Sequence, residues 1–180
     1  MALSPNDQAA RPQRGWPGLV AAGLLSAVLS WSGLAAAQGA DGQVFKDWRL
    51  QCQDNAQAPN GRFCTIVHAM KDQKTDQTVA QLNIGYPLGQ QAPTAVATVP
   101  LAVRLPPGLG IRIDNSAVKT FPYEFCTQGG CQAQIHLDAT MVANLKAGSG
   151  GHLIIQLPSG ETATIAFSLS GFTAAFAALQ

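Results

Sequence analysis

The chain holds one stretch in which a nucleophile and a base lie close together: Gly148-Ser149-Gly150-Gly151-His152. Serine hydrolysis needs a nucleophile, a base and an oxyanion hole, and the familiar nucleophile elbow reads Gly-x-Ser-x-Gly. This stretch departs from that pattern, and residues so near in sequence rarely reach attacking geometry. It also lacks the lysine of a phosphate-binding loop. A glycine-rich connection from helix to strand accounts for it. His68, His136 and His152 each fall on a strand pattern, without the His-x-His or His-Glu-x-x-His spacing that concentrates metal ligands. Asp114 and Glu124 are the candidate carboxylate pair for glycosidase-type chemistry, yet nothing in their spacing selects them over surface acids. Arg112 and Asp114 share the polar side of one strand, where cross-strand ion pairing is expected. No catalytic, cofactor-binding or metal residue is assigned, and the expectation is a non-enzymatic protein.

The four cysteines, Cys52, Cys64, Cys126 and Cys131, form two short pairs. No Cys-x-x-Cys redox motif occurs, and a zinc site built on Cys126, Cys131 and His136 lacks both the usual spacing and a fourth ligand. An even count in an oxidising compartment points to disulfides. Three pairings are possible; short loops and intervening turns favour 52–64 and 126–131. Pro59-Asn60-Gly61 folds the first pair back, and Gly129-Gly130 the second.

That compartment follows from the N-terminus. Arg11 and Arg14, the apolar run 18–34 and Ala35-Ala36-Ala37 read as a signal peptide over 1–37. No cysteine follows the apolar run, so a lipid anchor is not expected, nor is a stable membrane span after cleavage. Removing 37 of the 180 residues leaves 143, one domain's worth. Of the 11 Lys/Arg, Arg11 and Arg14 are lost, and of the 10 Asp/Glu, Asp7 is lost, so the remainder is formally neutral. Nucleic acid and acidic lipid are disfavoured as partners, since both call for clustered positive charge.

The elements that must position these residues are mostly strands. Residues 38–44 read as a flexible lead-in. Phe45–Gln53 alternates, with Trp48, Leu50 and Cys52 on one side and Arg49, Gln51 and Gln53 on the other. Trp48 is expected to pack in the core beside the first disulfide. Further strands are expected at 63–70, 79–85, 95–99, 102–105, 109–114, 121–126, 131–137, 152–157 and 162–169. Pro158-Ser159-Gly160 marks a hairpin between the last two. Asp138 can cap a helix over 139–146 that stops before Gly148, while Phe172, Ala175, Phe176 and Leu179 share one helical face. Short strands without helical crossovers predict a mainly β, single-domain, two-sheet β-sandwich with two short helices, stapled by disulfides. An outer-membrane barrel is disfavoured by the strand lengths and the helical C-terminus.

In combination these residues resemble the invasion-associated locus B family of exported bacterial proteins. The carrying pieces are Phe45-x-x-Trp48-x-x-x-Cys52, Cys64, Ile111-Arg112-Ile113-Asp114 and Phe125-Cys126-x-x-x-x-Cys131-x-Ala133. Leu145-Lys146-x-Gly148 and Ser168-Leu169-x-Gly171-Phe172 complete the order across 45–180. The resemblance implies a signal-bearing, cysteine-paired, β-rich protein of a Gram-negative bacterium, in a family named for host-cell invasion. It brings no catalytic motif. The expected function is a periplasmic binding or interaction protein, secreted or surface-associated in the wider reading. Its partner would be a protein or envelope component, in host-cell invasion or, alternatively, in envelope maintenance without a host role; an unrecognised periplasmic hydrolase is the remaining alternative.

Overall fold

The computed structural model describes residues 39–58 and 60–179. The signal-peptide reading lies outside them, and the 59–61 turn lies partly outside. Among the described residues no helix is long and apolar enough to cross a membrane. Eleven strands and two helices run in the order β1 (Val44–Phe45), β2 (Trp48–Asp54), β3 (Arg62–Lys71), β4 (Thr78–Gly85), β5 (Thr94–Val99), β6 (Leu109–Ile113), β7 (Lys119–Phe121), β8 (Tyr123–Thr127), β9 (Gly130–His136), α1 (Ala139–Ala147), β10 (Gly150–Gln156), β11 (Thr162–Ser168) and α2 (Phe172–Ala177).

The first five strands follow one another as an antiparallel meander. The chain then moves to the other layer for β6 and β7 and returns for β8 and β9. The result is a seven-stranded sheet, β1-β2-β3-β4-β5-β9-β8, and a four-stranded sheet, β11-β10-β6-β7. Their inner faces share one apolar core: Trp48, Leu50, Ile66, Leu82, Ile84, Ala97 and Ile135 from the larger sheet meet Leu109, Ile111, Leu153 and Phe167 from the smaller. This is the two-sheet architecture that alternating short strands predict.

The helices cover the ends of that core. Asp138 caps α1 by accepting from the Met141 N–H at 2.6 Å, and Met141 and Leu145 are its buried residues. In α2, Phe172, Ala175 and Phe176 are buried. Gly171, at φ +87°, turns the chain into it with the Phe45 carbonyl standing where a Cβ would be.

Four expectations are corrected by local backbone geometry. Residues 42–44 do not stand off as a lead-in: Gly42 donates to the Leu50 carbonyl, Leu50 donates to that of Gln43, and Val44 belongs to β1. The expected strand 45–53 is broken at Lys46, which sits at φ +55° and folds β1 back on β2. The expected strand 102–105 is irregular; Ala102 has φ +62°, and the segment is tied in where the Arg104 N–H reaches the Gln156 carbonyl and Val103 packs against the core. Finally, 121–126 is two strands in different sheets. Pro122, which has no N–H to give to a ladder, sits where the chain leaves β7 and enters β8.

Candidate functional site

The residues with catalytic potential do not assemble. Ser149 Oγ donates to Asp114 Oδ1 at 2.8 Å, and the Ser149 and Gly150 N–H groups donate to the same carboxylate at 3.2 and 3.1 Å. The Ser149 hydroxyl first, then these two N–H groups, holds the Asp114 carboxyl below its ordinary range. A carboxylate so stabilised is a poor proton acceptor near neutrality, and the N–H groups that might have formed an oxyanion hole are already spent on it. The Gly148-to-Gly150 loop is therefore clasped to the end of β6 rather than poised over a substrate.

Asp114 does not make the expected cross-strand ion pair with a neighbouring strand. Its strand-mate Arg112 instead faces His152 across β6 and β10. Arg112 Nε and His152 Nδ1 are buried with no hydrogen-bond partner among the described residues. Glu124, on β8, lies in the other sheet from Asp114.

The three histidines lie in three different parts of the fold. His68 is buried on the core side of β3; its Nδ1–H donates to the Asp47 carbonyl at 2.8 Å, and its Nε2 accepts the Ser168 N–H at 3.2 Å. His136 is exposed at the end of β9, and His152 lies on the smaller sheet. Among the described residues no three His, Cys, Asp or Glu side chains are grouped to hold a metal ion. All four cysteines are in disulfides: Cys52–Cys64 joins β2 to β3, and Cys126–Cys131 joins β8 to β9.

What the fold does create is a surface. The outer side of the larger sheet carries three transverse rows of side chains. Gln51, Thr65, Gly85, Thr94 and His136 lie side by side in one; Arg49, Val67, Asn83, Val96 and Gln134 in the next; Ala69, Gln81, Thr98, Gln132 and Phe125 in the third. Only Arg49 carries a permanent charge. The rest are mainly amides, hydroxyls and small groups, which suits them to hydrogen bonding as both donors and acceptors. Gln81 Nε2 donates to Asn83 Oδ1 at 2.8 Å, which leaves the Gln81 oxygen and the Asn83 nitrogen facing outward. The Thr94 hydroxyl is buried on this side without a partner among the described residues.

The face is hollowed. A depression of about 480 Å³ lies over Gln51, Gln53, Phe63 and Thr65, walled by Asp41 and Gly42. A second, of about 350 Å³, shares Arg49 and Gln51 with it and continues over Val67 and Ala69 to Gln81. A third, of about 270 Å³, shares Gln81 and continues to Thr98. Together they make a trough across β2 to β5. Its wall is the 41–47 segment, fixed when Asp41 Oδ1 accepts the Cys52 N–H at 2.8 Å. Sequence reasoning singled out none of these residues as a site. The available signal was the recurrence of Gln, Asn and Thr at outward positions of β2, β4, β5 and β9.

Beyond this geometry, the family profile described as "Invasion associated locus B (IalB) protein" matches residues 48–180. The chain belongs to the invasion-associated locus B family. Two Brucella abortus proteins, the invasion protein B homologs of strain 2308 and of biovar 1 strain 9-941, are each 25% identical to it over 139 residues. Each alignment covers 77% of this chain and 78% of the relative. The crystal structure of invasion associated protein B from Bartonella henselae superposes with a TM-score of 0.67 at 19% identity, covering 76% of this chain and 94% of that one. At that identity the likeness is one of fold.

Proposed function

We propose that this chain is an exported, non-enzymatic binding protein whose ligand-facing surface is the trough on the larger sheet. The observation that carries the reading is the continuity of three depressions over a nearly uncharged floor of amides and hydroxyls. Such a floor matches a hydroxyl-rich chain, which it can contact through paired donors and acceptors, with Arg49 on the floor and Asp41, Lys46 and Asp47 along the wall as the charged groups beside it. Phe63 at its margin adds apolar ring area. The clasped Ser149–Asp114 pair supports the absence of hydrolysis. Export, to the periplasm or beyond it, is supported by the signal pattern of residues 1–37 and by two disulfides that need an oxidising compartment.

The same ligand chemistry is available on a host-cell surface and in the bacterium's own envelope. The test therefore has two arms: retention of the purified protein on host-cell membranes, and on cell-wall fractions of the producing bacterium. Retention on the first supports a role in invasion; retention on the second alone supports envelope maintenance. In either case Gln51→Glu with Gln81→Glu should weaken retention at least about tenfold, the effect of an unpaired charge at a desolvated contact. No retention on either material, or retention indifferent to both substitutions, overturns the proposal.

A further inference from the structure

Three of the four sheet edges are guarded against strand addition. β1 has two residues; β7 has three and includes Lys119; β8 carries Glu124 and a register shift between Tyr123 and Phe125. These are the devices by which edges avoid pairing with other chains. The fourth edge, β11, has none of them. Thr162-Ala163-Thr164-Ile165-Ala166-Phe167-Ser168 contains no charge and no proline, and it pairs with β10 through seven consecutive positions without a bulge.

Backbone polarity along β11 alternates. Glu161 and Leu169 bond to Leu157 and Ser149 at the two ends of the β10 ladder, so the intervening odd-numbered residues face β10 and the even-numbered ones face outward. The outward groups of Ser168 are occupied: its N–H goes to His68 Nε2 and its carbonyl receives Trp48 Nε1–H. Those of Thr162, Thr164 and Ala166 have no partner among the described residues.

We propose that a second copy of this chain occupies this edge, with β11 running antiparallel to its own equivalent about a two-fold axis at Thr164. That register opposes Thr164 to itself and Thr162 to Ala166 on both sides of the axis. It uses every open outward group and ends where Ser168 is already engaged. No like charges meet across it. On the core side it sets Ala163 against Ile165, both half-buried in the single chain, and covers them. The two four-stranded sheets become one continuous sheet. The inference concerns the opposite layer from the trough, so it stands or falls separately from the binding reading.

The contact is shorter than a standard interface, so association is weak and concentration-dependent. Sedimentation velocity on protein recovered from the producing cells, from about 1 μM to about 1 mM, should show monomer passing to dimer. Thr164→Pro removes an N–H that points away from β10 and so spares the ladder; it should weaken dimerisation at least about tenfold. Thr164→Lys brings two like charges together at the axis and should do the same, with partial recovery in high salt. If Thr164→Pro fails to fold, the lysine variant decides. Wild type that stays monomeric throughout, or variants that dimerise as well as wild type, overturns the proposal.

Discussion

Trp48 and His68 stack with ring centroids 5.2 Å apart and together take both backbone hydrogen-bonding groups of Ser168, 120 and 100 residues further along the chain. One side chain donates and the other accepts, so the pair does for the end of β11 what a neighbouring strand would do. His68 also ties Asp47 at the β1–β2 turn. Phe172 completes the cluster edge-on to Trp48 at 5.1 Å. This corner joins the two sheets through polar contacts as well as through apolar packing.

His68→Leu keeps the buried volume while stranding the Ser168 N–H and the Asp47 carbonyl. Unsatisfied groups cost about 1–3 kcal/mol each when fully buried; these two are part-buried and partly open to water, so urea unfolding should show a combined loss of about 1–3 kcal/mol. Hydrogen exchange at the Ser168 amide should accelerate more than at its neighbours. Unchanged protection there would show that the clamp contributes nothing.

Each disulfide closes a short loop, with sequence separations of 12 and 5. Chain-entropy reasoning gives about 2.8 kcal/mol for Cys52–Cys64 and about 2 kcal/mol for Cys126–Cys131. Paired alanine substitutions should therefore destabilise in that order under denaturant titration. A larger loss from the 126–131 pair would contradict the loop-length account.

Gly171 and Gly160 both have positive φ, at +87° and +89°, but their surroundings differ. An alanine methyl at Gly160 meets nothing within 4 Å, whereas at Gly171 it runs into the Phe45 carbonyl. Gly160→Ala should cost only the left-handed backbone term of about 1–2 kcal/mol. Gly171→Ala adds a clash with backbone and should cost about 3 kcal/mol or more. Comparable melting temperatures for the two variants would remove the packing argument.

The carboxyls of Asp114 and Asp138 are held below the usual carboxylate range, the first by the Ser149 hydroxyl and the second by the Met141 N–H. A group depressed in the folded state contributes stability that is full above its unfolded pKa of about 4 and is lost as pH falls through the lower folded value. Asp114→Asn and Asp138→Asn should accordingly be less stable than wild type at pH 7. In each case the gap should close on the acid side of about pH 4. A gap independent of pH would assign the effect to shape rather than charge.

The parts of the fold legible in the sequence are those fixed by neighbours along the chain. Gln132, Gln134 and His136 alternating with Cys131, Ala133 and Ile135 give β9; Asp138 and Gly148 bracket α1; Pro158-Ser159-Gly160 turns β10 into β11. What escaped depends on distant partners or on single backbone angles. Lys46 at φ +55° is an unusual conformation for a non-glycine residue, and Pro122, though it marks a break in a ladder, does not reveal that the chain changes sheets there. The trough is legible only once β2 to β5 are known to pair side by side, because its polar residues come from four separate strands. The Ser149–Asp114 clasp and the Ser168 clamp likewise join segments 35 and at least 100 residues apart.

Both sulfur bridges connect each cysteine to the next one in the chain. On any polypeptide that emerges N-terminus first, Cys64 is the earliest thiol Cys52 can meet, and the first bond can be sealed before Cys126 arrives. Neither bridge encloses a cysteine of the other pair, so pairing in order of arrival gives the observed connectivity.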